Sequence, residues 1–96
     1  MPLKATQKKR LRAHAHHLKP LVTVAGKGLS DSVLAEIERA LNDHELVKIK
    51  LRSERAQRHA WQLDISEKCG AELVQSIGQV ACFYRRNQDN PVIDPG

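Results

Sequence analysis

Between residues 31 and 52 the chain changes from helical to strand periodicity, and this change limits the folds open to it. Apolar side chains first recur at helical spacing, at Val33, Leu34, Ile37, Ala40 and Leu41. They then alternate strictly with basic side chains: Val47, Ile49 and Leu51 on one side, Lys48, Lys50 and Arg52 on the other. A helix followed directly by a strand with one buried face predicts an α/β fold with the helix packed on the sheet.

The flanking segments extend this pattern. The predicted elements are a helix over 6–17, a strand over 21–25, a helix from Ser30 or Asp31 to Asp43, a strand over 47–52, a helix over 54–68, and strands over 73–77 and 80–84. Helix-linked strands should pair in parallel, whereas the turn Gly78-Gln79 predicts an antiparallel hairpin. We therefore expect an α/β, two-layer fold with a mixed four-stranded sheet and three helices, in the order α-β-α-β-α-β-β.

The length of 96 residues leaves room for one domain, predicted over residues 1–86. Residues 87–96 hold two prolines and no periodicity, which predicts a flexible C-terminal tail. No apolar run approaches the ~20 residues that a membrane span needs, so we expect a cytoplasmic monomer that has no membrane partner. Cys69 and Cys82 lack a C-x-x-C spacing and are predicted to be reduced, partly buried thiols.

Charge is unevenly distributed along the chain. There are 16 Lys and Arg residues against 11 Asp and Glu residues, for a net charge of +5. The first thirty residues contain no acid and seven basic residues: Lys4, Lys8, Lys9, Arg10, Arg12, Lys19 and Lys27. Such segregation favours a polyanionic partner. A charged helix face is usually only a solvated face. Solubility alone, however, does not explain why acidic residues are absent from this segment, so we favour phosphate contacts by the first helix.

The segment from Val24 to Ser30 predicts a strand, a glycine-containing loop and a helix N-terminus. Two glycines allow close backbone approach, Lys27 adds charge, and the free N–H groups of a helix start favour an anion. A plain tight connection is an equally good interpretation of this loop alone. A nucleotide-binding P-loop is excluded, because Gly26-Lys27 is followed by glycine rather than Ser or Thr.

No pattern points to catalysis, a metal or a cofactor. His14 and His17 are three apart, but no nearby Cys, Asp or Glu completes a metal site. Trp61, Phe83 and Tyr84 are the only aromatic residues, too few for base stacking to dominate, and Trp61 and Phe83 are predicted to lie in the core.

The residues carry a resemblance to a known family. Leu18–Val22, the glycine loop, Val33–Ile37, His44–Lys50, the run 75–78 and Phe83-Tyr84-Arg85 together resemble the CRM domain (chloroplast RNA splicing and ribosome maturation), in its bacterial single-domain YhbY type, over about residues 3–86. The resemblance implies an RNA-binding fold similar to the C-terminal domain of translation initiation factor three. It also implies ribosomal RNA, in precursors of the large ribosomal subunit, as the partner.

The family's G-x-x-G loop is thought to face RNA, and this chain departs from it, with Ala25 at the first glycine and Gly28 at the second. The predicted RNA-binding residues are Lys8, Lys9, Arg12, Lys19, Ala25, Gly26, Lys27, Gly28 and Arg85, the last from the family's Tyr-Arg ending. Two alternatives stay open: a protein-interaction adaptor that uses the strand face of Lys48, Lys50 and Arg52, and a small metal-dependent enzyme.

Overall fold

The computed structural model describes residues 3–89, 91 and 93. Its elements are α1 (Ala5–Ala15), β1 (Pro20–Val24), α2 (Asp31–His44), β2 (Leu46–Leu51), α3 (Arg55–Cys69), β3 (Glu72–Ile77) and β4 (Val80–Tyr84). All seven predicted elements are present in the predicted order, with ends shifted by no more than one or two residues. No helix in the described ranges is both long and apolar enough to cross a membrane.

The strands form one four-stranded sheet in the order β1-β2-β4-β3. β1 and β2 are parallel, whereas β4 is antiparallel to both of its neighbours. The predicted mixed sheet is therefore confirmed. The helix-linked strands β2 and β3 also run in the same direction, but they are not neighbours, because β4 returns from the hairpin turn to lie between them.

One face of the sheet is covered by α2 and α3. Val47, Ile49 and Leu51 of β2 point into this core, as their alternation predicts. Helix α2 contributes Ile37 and Leu41, and α3 contributes Trp61 and Ile65. The predicted core positions of Trp61 and Phe83 are confirmed, with exposed fractions of 8% and 0%.

Helix α1 packs on the opposite face, so the predicted two-layer arrangement is incomplete. Leu11 and Ala15 contact a second apolar cluster formed by Leu46, Val74, Cys82 and Tyr84. These strand residues make one end of the second face apolar, and α1 adds a third layer there. From the alternation in β2 alone, the second face of the sheet is expected to be exposed to water. That expectation misses the apolar residues that β3 and β4 contribute to the same face.

Two side chains join the end of β4 to the rest of the domain. The guanidinium of Arg85 donates to the Glu38 carboxylate, the Cys69 carbonyl oxygen and the Asn42 side-chain oxygen, each over 2.8 Å. The buried carboxylate of Glu45 accepts hydrogen bonds from the backbone N–H groups of Asn87 and Ile93, each over 2.6 Å. The beginning of the predicted tail is thus attached to the domain, while residues 90, 92 and 94–96 of that tail lie outside the described residues.

Both cysteines are buried, and neither is bonded to another cysteine in the described structure. Burial raises the pKa of both thiols; the Glu38 carboxylate raises the pKa of Cys69 further, and Lys48 opposes the rise at Cys82. Because only the thiolate reacts, we expect alkylation of the native protein near pH 8 to be more than about tenfold slower than in denaturant. Rapid labelling of either native thiol, followed by mass spectrometry, would contradict this.

Candidate nucleic-acid interface

The Ala25–Gly28 loop is a tight turn between β1 and α2. The N–H of Gly28 donates to the carbonyl oxygen of Ala25 over 2.7 Å, and Gly28 has a φ of +66°. This left-handed conformation favours glycine, as predicted for a strand-to-helix turn of this kind. A Cβ at Gly28 would lie 3.7 Å from Nε1 of Trp61, an ordinary contact, so the backbone angle rather than space requires glycine here.

The N-terminus of α2 contributes less to anion binding than the sequence predicts. Ser30 caps the helix, its hydroxyl accepting a hydrogen bond from the N–H of Val33 over 3.3 Å. Asp31 places a negative charge in the first helical turn. The cap occupies one N–H group, and the carboxylate opposes the positive end of the helix dipole. Positive charge at this loop therefore comes mainly from the exposed Lys27 side chain.

A second loop lies beside the first because β1 and β2 are parallel. The N–H of Arg52, directly after β2, donates to the carbonyl oxygen of Val24 over 2.8 Å. Residues 25–28 then line a shallow cleft together with Arg52, Ser53, Gln57 and Trp61. Lys27 and Arg52 are both exposed and border this cleft.

The sequence did not place Arg52 beside the Ala25–Gly28 loop, because its alternation assigned Arg52 to the face of β2 with Lys48 and Lys50. The strand ends at Leu51, and Arg52 belongs to the loop. The available signal was the predicted parallel pairing, because the carboxyl ends of parallel strands meet at the same edge of a sheet.

The start of α3 extends the same edge. Arg55 is exposed in the first turn of α3. Arg58 donates from Nη1 to the carbonyl oxygen of Ser53 over 2.7 Å, which fixes the loop between β2 and α3. We call the residues Ala25–Gly28, Arg52 and Arg55 the loop surface. It combines the Gly28 turn and the cleft residues Lys27 and Arg52 with the exposed Arg55, which borders a neighbouring cleft.

Three basic residues of α1, Lys8, Lys9 and Arg12, together with Lys19 in the connection between α1 and β1, make up what we call the helix surface. Lys8 lies 3.4 Å from the carboxylate of Glu72, so its charge is partly compensated, whereas Lys9 and Lys19 are exposed. Lys19 precedes β1 and Lys27 follows it. The five-residue strand separates them by roughly 16 Å, so the predicted binding residues form two surfaces rather than one patch.

Arg85 belongs to neither surface. Its guanidinium is already hydrogen-bonded to Glu38, Asn42 and the carbonyl oxygen of Cys69. These contacts give it a structural role in joining β4 to α2 and α3. A phosphate could reach it only by displacing protein partners.

The remaining chemistry of the interface is limited. The chain's three aromatic residues, Trp61, Phe83 and Tyr84, are all buried, so none offers an exposed ring for base stacking. Within the part of the chain that the structure describes, no three His, Cys, Asp or Glu side chains group as metal ligands. What the two surfaces offer a ligand is positive charge and, at the loop, an accessible backbone.

The two loop glycines should respond differently to alanine. Gly28→Ala should lower the free energy of unfolding by about 1 kcal/mol, because alanine is strained at positive φ. Gly26→Ala is the matched control: its φ is not positive and a Cβ there would meet no atom within 4 Å, so we expect a change within about 0.5 kcal/mol. Urea denaturation measures both values, and equal stabilities would show that the turn does not depend on the glycine angle.

The fold and the two surfaces define a small α/β domain that presents basic side chains around a glycine turn. The chain belongs to the CRS1 / YhbY (CRM) domain family, whose model matches residues 3–85, and this confirms the resemblance seen in the sequence.

Several known proteins are similar to the chain over most of its length. A probable RNA-binding protein of Pseudomonas aeruginosa is 50% identical over 88 residues, which cover 91% of this chain and 85% of that protein. An RNA-binding protein of Haemophilus influenzae is 43% identical over 90 residues, covering 91% and 89%. The solution structure of a Staphylococcus aureus protein, described as a candidate RNA-binding protein, superimposes with a TM-score of 0.82 at 28% identity and covers 97% of this chain and 98% of that one.

Proposed function

We propose that this protein binds RNA, and that its target is ribosomal RNA in precursors of the large ribosomal subunit, whose assembly it assists. The observation that carries the RNA proposal is the loop surface, where Lys27 and Arg52 border one cleft beside the Gly28 turn. The names of its relatives support RNA as the ligand class. The ribosomal target rests on the family resemblance, whereas the cytoplasmic location rests on the lack of a membrane-length apolar run in the sequence.

The proposed binding mode is electrostatic. Lys27, Arg52 and Arg55 contact phosphates at the loop surface, and the small residues Gly26 and Gly28 let the RNA backbone approach. The helix surface adds Lys9, Arg12 and Lys19 at the opposite end of β1. A structured RNA can follow both surfaces because its phosphates are spread along the helix, and such recognition depends on shape more than on base sequence. The protein acts as a monomer, through binding alone, without a cofactor.

Removing one lysine or arginine from the loop surface should weaken RNA binding without harming the fold. We expect Lys27→Ala and Arg52→Ala each to lower affinity about five- to tenfold, because each loses one phosphate contact. If the parent neutralises about four phosphates, its log affinity should fall with log salt at a slope near −3, and each variant's slope should be shallower by about 0.7. Titration with a large-subunit RNA fragment over a salt series measures both quantities.

Arg39→Ala is the control for this experiment, because Arg39 is exposed on α2 outside both surfaces. It should bind RNA as the parent does. An unchanged affinity and slope for Lys27→Ala would make the loop a plain connection and leave the helix surface to bind alone. A flat salt response of the parent would contradict phosphate docking altogether.

The ribosomal target requires a separate test in cells. Crosslinking followed by sequencing of the attached RNA should recover precursors of large-subunit RNA, enriched over mature RNA. Recovery of other RNA classes in their place would leave RNA binding intact and overturn the proposed target.

A further inference from the structure

Beyond α1, the second face of the sheet has no helix packed on it in the described part of the chain. This part, which we call the open face, consists of Leu21, Lys48, Lys50, Gln75, Ile77 and Val80. Leu21 and Ile77 are large aliphatic side chains with exposed fractions of 56% and 66%. Exposed aliphatic side chains that share a face mark an interaction surface more often than isolated ones do.

Two grooves meet on the open face at Lys48. One, of about 310 Å³, has an apolar lining that includes Leu18, Leu21 and Leu46. The other, of about 240 Å³, lies between β1 and the hairpin and is lined by residues that include Ile77 and Val80. Lys48 borders both, and none of the described residues that line either groove is acidic.

These features favour a protein partner over RNA. The open face holds no aromatic side chain on which a base could stack, and RNA gains little from exposed aliphatic groups. A second copy of this chain is disfavoured, because a symmetric contact would bring Lys48 and Lys50 of one copy against the same lysines of the other. A partner with acidic and aliphatic side chains would match both the lysines and the apolar grooves.

We propose that the open face docks an extended segment of another protein whose side chains at every second position, which share one side of the segment, are in turn acidic and aliphatic. The aliphatic side chains enter the two grooves, and the carboxylates pair with Lys48 and Lys50. The proposal goes beyond RNA binding and does not depend on it: the loop surface lies past the end of β1, outside both grooves, and of the helix surface only Lys19 borders one of them. The protein could then hold an RNA and a protein together.

The test uses a short synthetic peptide with Leu and Glu in turn at every second position and Ser between them, which we call the Glu–Leu peptide, added to the isotopically labelled full chain. Binding should shift the amide resonances of Leu21, Lys48, Lys50 and Ile77 while those of residues 25–28 stay in place. Ile77→Ser removes an exposed side chain and Lys50→Glu reverses a charge, and each should weaken peptide binding about tenfold. Arg39→Glu reverses a charge elsewhere and should bind the peptide as the parent does.

Three results would overturn the proposal. The Glu–Leu peptide could leave the open face unshifted, or the same peptide with Lys in place of each Glu could bind equally well. Alternatively, an RNA oligonucleotide could shift the open-face amides as strongly as those of the loop, which would assign this face to RNA. The RNA affinity of Ile77→Ser, expected within about twofold of the parent, keeps failure here distinct from failure of the RNA proposal.

Discussion

Replacing Arg85 by methionine should lower the free energy of unfolding by about 2 kcal/mol and leave the RNA affinity of the folded protein unchanged. The guanidinium donates to Glu38 of α2, to Asn42 of the same helix and to the Cys69 carbonyl oxygen at the end of α3. Methionine fills similar space but donates no hydrogen bond. The loss is limited because the Glu38 side chain is 44% exposed, so water replaces part of the lost contact.

Arg86→Met is the matched control, since Arg86 is the exposed neighbour of Arg85. Its stability should stay within about 0.5 kcal/mol of the parent's. Chemical denaturation gives the stabilities, and RNA titration well below the melting transition gives the affinities. If Arg85→Met were as stable as the parent and bound RNA weakly, Arg85 would be an RNA contact and its bonds within the protein would be dispensable.

The elements of this fold are predictable because their periodicity is local. The apolar positions of α2 and the alternation in β2 lie within adjacent segments, and the Gly78-Gln79 turn specifies the hairpin between β3 and β4. The side of the sheet on which α1 packs is not local information. It depends on the packing of Leu11 against Val74, Cys82 and Tyr84 on one face of the sheet, and these residues are distant from Leu11 in sequence.

The candidate site shows the same division between local and distant information. Charge and glycine content identified the loop residues, and the positive φ of Gly28 agrees with that assignment. Composition could not show that Lys8 lies against Glu72, or that Arg85 is hydrogen-bonded to Glu38, a residue 47 positions away. A basic residue in a sequence is therefore a candidate phosphate contact only until its partners within the fold are known.

The separation of the loop and helix surfaces sets how far an RNA must extend to contact both. To contact both surfaces, an RNA must span the roughly 16 Å length of β1. Affinity gained through two surfaces depends on the geometry between them. Under the proposed function, an RNA that spans this distance should bind more tightly than an RNA that contacts a single surface.

Removing the carboxylate of Glu45 should have the largest effect of the substitutions considered. Glu45 is fully buried, and its two carboxylate oxygens accept the backbone N–H groups of Asn87 and Ile93 over 2.6 Å each. Its φ of +61° is unfavourable for a residue with a side chain. The hydrogen bonds that the carboxylate accepts offset this backbone strain. We expect Glu45→Ala, which keeps the strain and loses both bonds, to be destabilised by about 3 kcal/mol.

Glu45→Gly separates the two contributions, because glycine also loses the carboxylate but tolerates the positive φ. It should be more stable than Glu45→Ala by about 1 kcal/mol, although still less stable than the parent. Glu45→Gln keeps one acceptor oxygen and should fall between the parent and the alanine variant. Urea denaturation of the four proteins measures this order. Equal stabilities for the alanine and glycine variants would show that the backbone is unstrained, and an alanine variant as stable as the parent would show that attaching residues 87 and 93 contributes nothing to the fold.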